Sequence, residues 1–288
     1  MTTIGFIGTG VMGTSMIKNL LKANFTVNVF NRTRAHAQQA IDAGATWTDS
    51  PAAVTQKSDV VITIVGFPKD VEEVYFGEHG ILSVARPGQT VIDMTTSKPS
   101  LAREIFAAAA QKGVNALDAP VSGGDIGAQK GTLTIMVGGS AGVYTKMQPI
   151  FAAMGQQVNL FGGAGSGQAT KMANQIMIAG TMTGMTEMLV YAKKAGLDLD
   201  KVLTTVGGGS AANWSLTNYG PRILKEDYSA GFFAKHFLKD LRIALEEADQ
   251  MGIDLPATAQ AKQLYEQLVD ERQLGDDGTQ ALVKLWWS

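Results

Sequence analysis

The chain has 288 residues, a net charge of −2 and no cysteine, enough length for one large or two medium domains with a real core. Without a basic block or an apolar run of spanning length, neither nucleic acid nor a membrane is an expected partner. The lack of cysteine removes disulfide, thiolate and zinc–cysteine chemistry and fits a cytoplasmic protein.

The first element is a strand-like run, Thr3 to Ile7, that starts without a basic leader, so no signal peptide is expected. It breaks into Gly8-Thr9-Gly10-Val11-Met12-Gly13 and continues as a helical pattern to Ala23. Strand, tight glycine turn and helix in that order make a dinucleotide-binding loop. Gly8 allows the turn, Gly10 admits a pyrophosphate, Gly13 lets helix and strand pack closely, and the helix N-terminus faces the phosphates. Gly8, Gly10, Val11, Met12 and Gly13 are therefore expected to bind the cofactor.

A second strand, Thr26 to Phe30, ends in Asn31-Arg32-Thr33. An acidic residue closing this strand would accept hydrogen bonds from the adenosine ribose and repel a 2′-phosphate. Here a neutral Asn31 is followed by a guanidinium that can pair with that phosphate and stack on adenine. Asn31, Arg32 and Thr33 thus point to NADP rather than NAD, the bland alternative being a solvated basic turn.

Further apolar strands, Val60 to Val65, Thr90 to Asp93 and Thr132 to Val137, alternate with helix-like stretches such as Leu101 to Lys112 and Val143 to Met154. Such alternation reads as an α/β domain with a doubly wound, mostly parallel sheet of Rossmann type, over residues 1–163. Val65, Gly66 and Phe67 after one strand, and Thr95 and Thr96 after the next, should line the cofactor groove, since ligands bind beyond the carboxyl ends of such strands. Ser122-Gly123-Gly124 follows the strand ending near Asp118; its backbone N–H groups and hydroxyl suit a carboxylate, the alternative being a plain turn. Asp118 itself is expected to orient this loop.

The glycine-rich Gly162 to Gly167 marks a break. Residues 164–288 carry almost no strand signal and are expected to form an all-helical domain for substrate binding and oligomerisation. It begins with a long helix from Gln168 to Gly196, apolar on most faces and so expected to be buried, with its methionines as core filler. Lys171 and Asn174 lie three apart on that helix and share a face. A lysine in such a setting must be paired or have its pKa depressed by desolvation, which is what proton transfer near neutral pH requires. The three histidines, His36, His79 and His236, have no ligand spacing, and no metal is expected.

Four stretches in order, Gly5 to Gly13, Asp118 to Gly124, Gly165 to Gln175 and Lys239-Asp240-Leu241, resemble the β-hydroxyacid dehydrogenases across nearly the whole chain. This family includes 3-hydroxyisobutyrate dehydrogenase and 2-hydroxy-3-oxopropionate reductase. The resemblance implies an oxidoreductase that moves a hydride between nicotinamide and a small β-hydroxyacid or its semialdehyde. Lys171 would be general acid and base and Asn174 would orient the substrate. Ser122, Gly123 and Gly124 would hold the substrate carboxylate, and Lys239 would reach the nicotinamide end of the cofactor. Asn213 and Trp214 lie where relatives shape the distal end of the substrate. Alternatives are a non-catalytic NADP-binding module, an imine-reductase-like enzyme, which would carry another residue at 171, or a decarboxylating relative with a larger helical domain. The apolar end, Leu282 to Ser288 with Trp286 and Trp287, should dock within its own domain or on another subunit. The resemblance favours the second and implies a homodimer or homotetramer.

Overall fold

The computed structural model describes residues 2–287; Met1 and Ser288, the outer ends of the two expected domains, lie outside the described residues. The chain forms two compact units, one up to Lys171 and the other from Met172 on.

The first unit opens with β1 (Thr3–Ile7), α1 (Val11–Lys22) and β2 (Thr26–Phe30), then a 3-10 turn at Arg34–Ala37, α2 (Gln38–Asp42) and β3 (Thr46–Trp47). It continues through α3 (Pro51–Gln56), β4 (Val60–Thr63), α4 (Pro68–Phe76), α5 (Ile81–Val84), β5 (Thr90–Asp93), α6 (Pro99–Gln111) and β6 (Asn115–Asp118). The last strands and helices are β7 (Val121–Ser122), α7 (Gly124–Lys130), β8 (Leu133–Gly139), α8 (Ala141–Ala152) and β9 (Gly155–Gly162), after which α9 (Ser166–Lys194) begins.

The strands lie in the order β3-β2-β1-β4-β5-β6, all parallel. Successive side chains of a strand point to opposite faces. Ile4, Phe6, Val27, Val29 and Ile62 pack with Met16, Ile17 and Leu20 of α1 on one side. Ile7, Val61, Val91 and Ala116 pack with Val71, Tyr75, Leu101 and Ile105 on the other. Both faces are covered, which is why the strands read as unbroken apolar runs. Beyond β6 the sheet changes direction. β6 and β7 run antiparallel to β8 in one shared register, Leu117 opposite Gly139 and Ser122 opposite Thr134, and β9 returns parallel to β8.

The second unit is helical, apart from one isolated bridge between Phe233 and Gly278. After α9 come α10 (Leu199–Gly207), α11 (Trp214–Leu224), α12 (Ala234–Gln250) and α13 (Pro256–Glu266), then a π turn at Gln267–Glu271 and a 3-10 turn at Thr279–Leu285. One core joins Phe237, Leu238 and Leu241 of α12 to Tyr265 and Leu282; another joins Met182, Met185 and Leu189 of α9 to Leu216 and Ile223 of α11. Trp287 packs at the edge of that second core with Lys193 Nζ 4.2 Å from its ring centroid, so it is held within its own unit, whereas Trp286 is exposed.

The long helix departs from the expectation of burial nearly all round. Ala173, Met177, Gly180, Gly184, Glu187 and Tyr191 are exposed, with Met177 68% and Tyr191 75% accessible. Hydrophobicity alone did not separate this stripe, because alanine and glycine score as apolar while adding little side chain. No helix among the described residues is long and apolar enough to cross a membrane.

Candidate active site

The sheet order reverses between β1 and β4, and in such sheets ligands bind beyond the carboxyl ends at the reversal. Gly8 stands there at φ +104°, where a Cβ would run into the carbonyl oxygen of Ile64. A Cβ on Gly13 would in turn strike the carbonyl oxygen of Gly8. Gly10 is different: its φ is an ordinary −70° and nothing lies within 4 Å of where its Cβ would be. The protein's own packing requires two of the three glycines, whereas at Gly10 the missing side chain leaves open space at the head of α1. That cradle fits a dinucleotide pyrophosphate. The Thr9 hydroxyl is buried beside it with no hydrogen-bond partner among the described residues. Val11 and Met12 form the first turn of α1, with Val11 exposed.

Asn31 braces this loop. Its Oδ1 accepts from Thr9 N–H at 3.0 Å and its Nδ2 donates to the Thr33 carbonyl at 2.9 Å. An aspartate could do the first and not the second. The side chain of Arg32 is 81% accessible, and its Nη1 lies 3.3 Å from Asp70 Oδ1. Asp70 also accepts from Phe67 N–H at 3.0 Å, which fixes the start of α4 and the Val65-Gly66-Phe67 segment before it. Val65 N–H donates to Thr95 Oγ1 at 3.0 Å, tying that segment to the end of β5, where Thr96 follows.

Behind these residues lies a buried polar cluster, of which Asp93 was marked by no sequence motif. Asp93 accepts from the Thr63 hydroxyl at 2.8 Å and from Thr95 N–H at 3.1 Å. Burial pushes its carboxyl up to about 6, against the lowering effect of those hydrogen bonds. Asp118 holds the start of α9: its two oxygens accept from Gly165 N–H and Gln168 N–H, each at 2.8 Å. Burial raises its pKa too, again opposed by those N–H groups. Gln168 completes the clamp, donating to the Thr95 carbonyl at 2.7 Å and accepting from Ser97 N–H at 2.9 Å. Asp118 thus orients the start of a helix, a role the sequence reading, which assigned it to the loop that follows, did not include.

Ser122 lies on β7 opposite Thr134, and Gly123 and Gly124, at φ +124° and +63°, open α7. Lys171 is one turn beyond Gln168 on α9 and only 6% accessible. In the second unit, Asn174 Nδ2 donates to Gln175 Oε1 at 2.7 Å and Gln175 Nε2 donates to Asp240 Oδ2 at 2.6 Å. Lys239 Nζ lies 3.1 Å from the other oxygen of that buried carboxylate. Asn213 caps α11 through Leu216 N–H and also donates to the Ala211 carbonyl, both at 2.9 Å, so its amide is engaged by its own turn. Trp214, next to it, is exposed and meets Tyr219 edge-on at 5.3 Å between centroids.

The signal that would have found Gln168 and Gln175 was present. Together with Lys171 they recur at helical spacing on one face of an apolar helix, and all three are buried.

Residues 3–163 match the family described as the NAD binding domain of 6-phosphogluconate dehydrogenase, and residues 165–286 match that described as NAD-binding of NADP-dependent 3-hydroxyisobutyrate dehydrogenase. A probable 3-hydroxyisobutyrate dehydrogenase-like 1, mitochondrial, of Arabidopsis thaliana is 52% identical over 98% of this chain and 84% of its own length. The chain belongs to the β-hydroxyacid dehydrogenase family. As a member it is an NAD(P)-dependent oxidoreductase acting on hydroxyl groups. A second β-hydroxyacid dehydrogenase relative, 2-hydroxy-3-oxopropionate reductase of Escherichia coli, is 37% identical over 91% of this chain and 89% of its own length. Among solved structures, Mycobacterium tuberculosis 3-hydroxyisobutyrate dehydrogenase with L-serine superposes with a TM-score of 0.90 at 30% identity over the whole of both chains.

Proposed function

We propose that the chain is an NADP-dependent dehydrogenase that interconverts a small β-hydroxyacid and its semialdehyde, with Lys171 as general acid and base. The observation that carries this reading is a lysine 6% accessible, one turn beyond a helix start clamped by Asp118. Gly8, Gly10, Val11, Met12 and Gly13 would hold the pyrophosphate, Arg32 with Thr33 the 2′-phosphate end, and Val65 to Phe67 with Thr95 and Thr96 the groove between. Lys239 would approach the nicotinamide end. When bound, the nicotinamide gives up or takes on the hydride. Lys171 gives its Nζ proton to the oxygen that becomes an alkoxide during reduction, and recovers it from the hydroxyl during oxidation. Ser122 and the N–H groups of Gly123 and Gly124 fix the substrate carboxylate, Asn174 orients the reacting end, and Trp214 limits its length. The NADP preference draws support from Arg32 and from the NADP-dependent description of the family matched by residues 165–286. A non-catalytic module would have no use for a buried lysine at this position.

The reading extends to assembly. The exposed residues 173, 177, 180, 184, 187 and 191 of α9 recur at alternating spacings of four and three, the seam of a paired helix. We infer a homo-oligomer, a homodimer or a homotetramer, packed through this stripe.

The test is a panel of β-hydroxyacids and semialdehydes followed by NADPH and NADH absorbance. Lys171→Ala should lower turnover on the best substrate by about 10²–10⁴-fold while NADPH affinity stays within a few-fold. Wild-type turnover in Lys171→Ala overturns the mechanism.

A further inference from the structure

Asp240 is a buried carboxylate on α12, far in sequence from Asn174 and joined to it through a single side chain. An ionised carboxylate only accepts hydrogen bonds. Gln175 must therefore turn its NH₂ toward Asp240 Oδ2, which lies 2.6 Å away. That leaves the Gln175 carbonyl on the opposite side, and Asn174 must answer it with its own NH₂, at 2.7 Å. The polarity of the carboxylate thus passes through two amides in series. With the opposite polarity Asn174 would accept from Gln175 and offer the rest of the site donors only. With the observed polarity its Oδ1 is turned away from the relay and can accept. Lys239, paired with the other oxygen at 3.1 Å, gives the buried charge a partner.

We propose that Asp240, acting through Gln175, is a positioning residue that fixes the Asn174 amide with its carbonyl oxygen presented to the hydroxyl of the β-hydroxyacid. The inference rests on the proposed role of Asn174, and adds that this role depends on the sign of a charge two side chains away. A hydroxyl is both donor and acceptor, whereas a site offering only N–H groups cannot take the hydroxyl proton. The relay therefore selects for a hydroxyl over a methyl group of the same size.

Dead-end complexes test this without turnover. With saturating NADPH, which cannot reduce a hydroxyacid, binding of 3-hydroxyisobutyrate and of 2-methylbutyrate, which carries a methyl group in place of the hydroxyl, is measured by calorimetry. The wild-type protein should bind the hydroxyacid at least tenfold more tightly. Asp240→Asn and the near-isosteric Gln175→Met should each cut that ratio to threefold or less, with NADPH affinity and melting temperature recorded alongside. A double-mutant cycle supplies the decisive comparison: in an Asn174→Ala background, Gln175→Met should have no further effect on the ratio or on kcat/KM. If Asn174→Ala alone leaves the ratio unchanged, the proposed function is at fault. If Asn174→Ala collapses it while Gln175→Met and Asp240→Asn leave it intact, or if their effects simply add, the relay is overturned.

Discussion

Arg32 reaches over the start of α4 with most of its side chain in water, so its pair with Asp70 adds little to stability. Its proposed role is to meet a 2′-phosphate. Arg32→Ala should weaken NADPH binding about tenfold or more, the worth of a lost charged hydrogen bond, and scarcely affect NADH, as fluorescence titration would read. Equal weakening of both would assign Arg32 to adenine stacking alone. Asp93 is the reverse case, a carboxyl hidden from any ligand but costly to ionise. Its pKa stands at about 6 in the folded protein, up from an ordinary 3.8. The folded state then binds the proton more tightly than the unfolded one, so this group's contribution to stability declines as pH rises from about 4 to about 6 and is constant above. The full difference is about 3 kcal/mol. Asn at 93 keeps an oxygen for Thr63 and Thr95 and cannot ionise. Urea unfolding should show Asp93→Asn gaining on the wild type between pH 4 and pH 7; parallel curves would refute the assignment.

Among the elements, the glycine loop separates two requirements that the motif alone presents as one. Gly10→Ala should leave the melting temperature within a few degrees, since open space surrounds its Cβ position, yet abolish measurable NADPH binding. Gly13→Ala should instead destabilise the fold by about 1–3 kcal/mol, because its Cβ meets the Gly8 carbonyl. Thermal melts and cofactor titration of the two variants should diverge; if Gly10→Ala binds NADPH normally, the cradle lies elsewhere. The loop, β1, β4 and β5 were legible because burial on both faces writes itself as apolar runs and the turn chemistry is local. The β6–β7 ladder on β8 was not, since Val121-Ser122 is too short to show a period. Nor were the roles of Asp118 and Gln168 in starting α9. Asp118 was read as a loop residue because its partners are backbone N–H groups 47 and 50 positions away. Asn31, read only for cofactor choice, turned out to stitch the loop to its strand.

For the molecule as a whole, the exposed stripe of α9 predicts the assembly. Light scattering should give a multiple of the 30.5 kDa chain mass, and Gly184→Glu, which sets a charge and bulk on the stripe, should yield monomers that keep their helical content. A monomeric wild type at micromolar concentration would remove the idea. Truncation after Lys284 should lower the stability of the helical unit itself, because Trp287 is part of it. One further property follows from the way Asp118 grips the first turn of α9. An α-helix advances about 1.5 Å and turns about 100° per residue, so the stretch from Gln168 to Asn174 is a ruler whose zero mark is nailed to the sheet. A substitution along it leaves the spacing intact, but a single inserted residue after Gln168 would swing positions 171 and 174 together by more than a quarter turn. Length is therefore a quantity this segment cannot trade, alongside the identities of residues 168, 171 and 174.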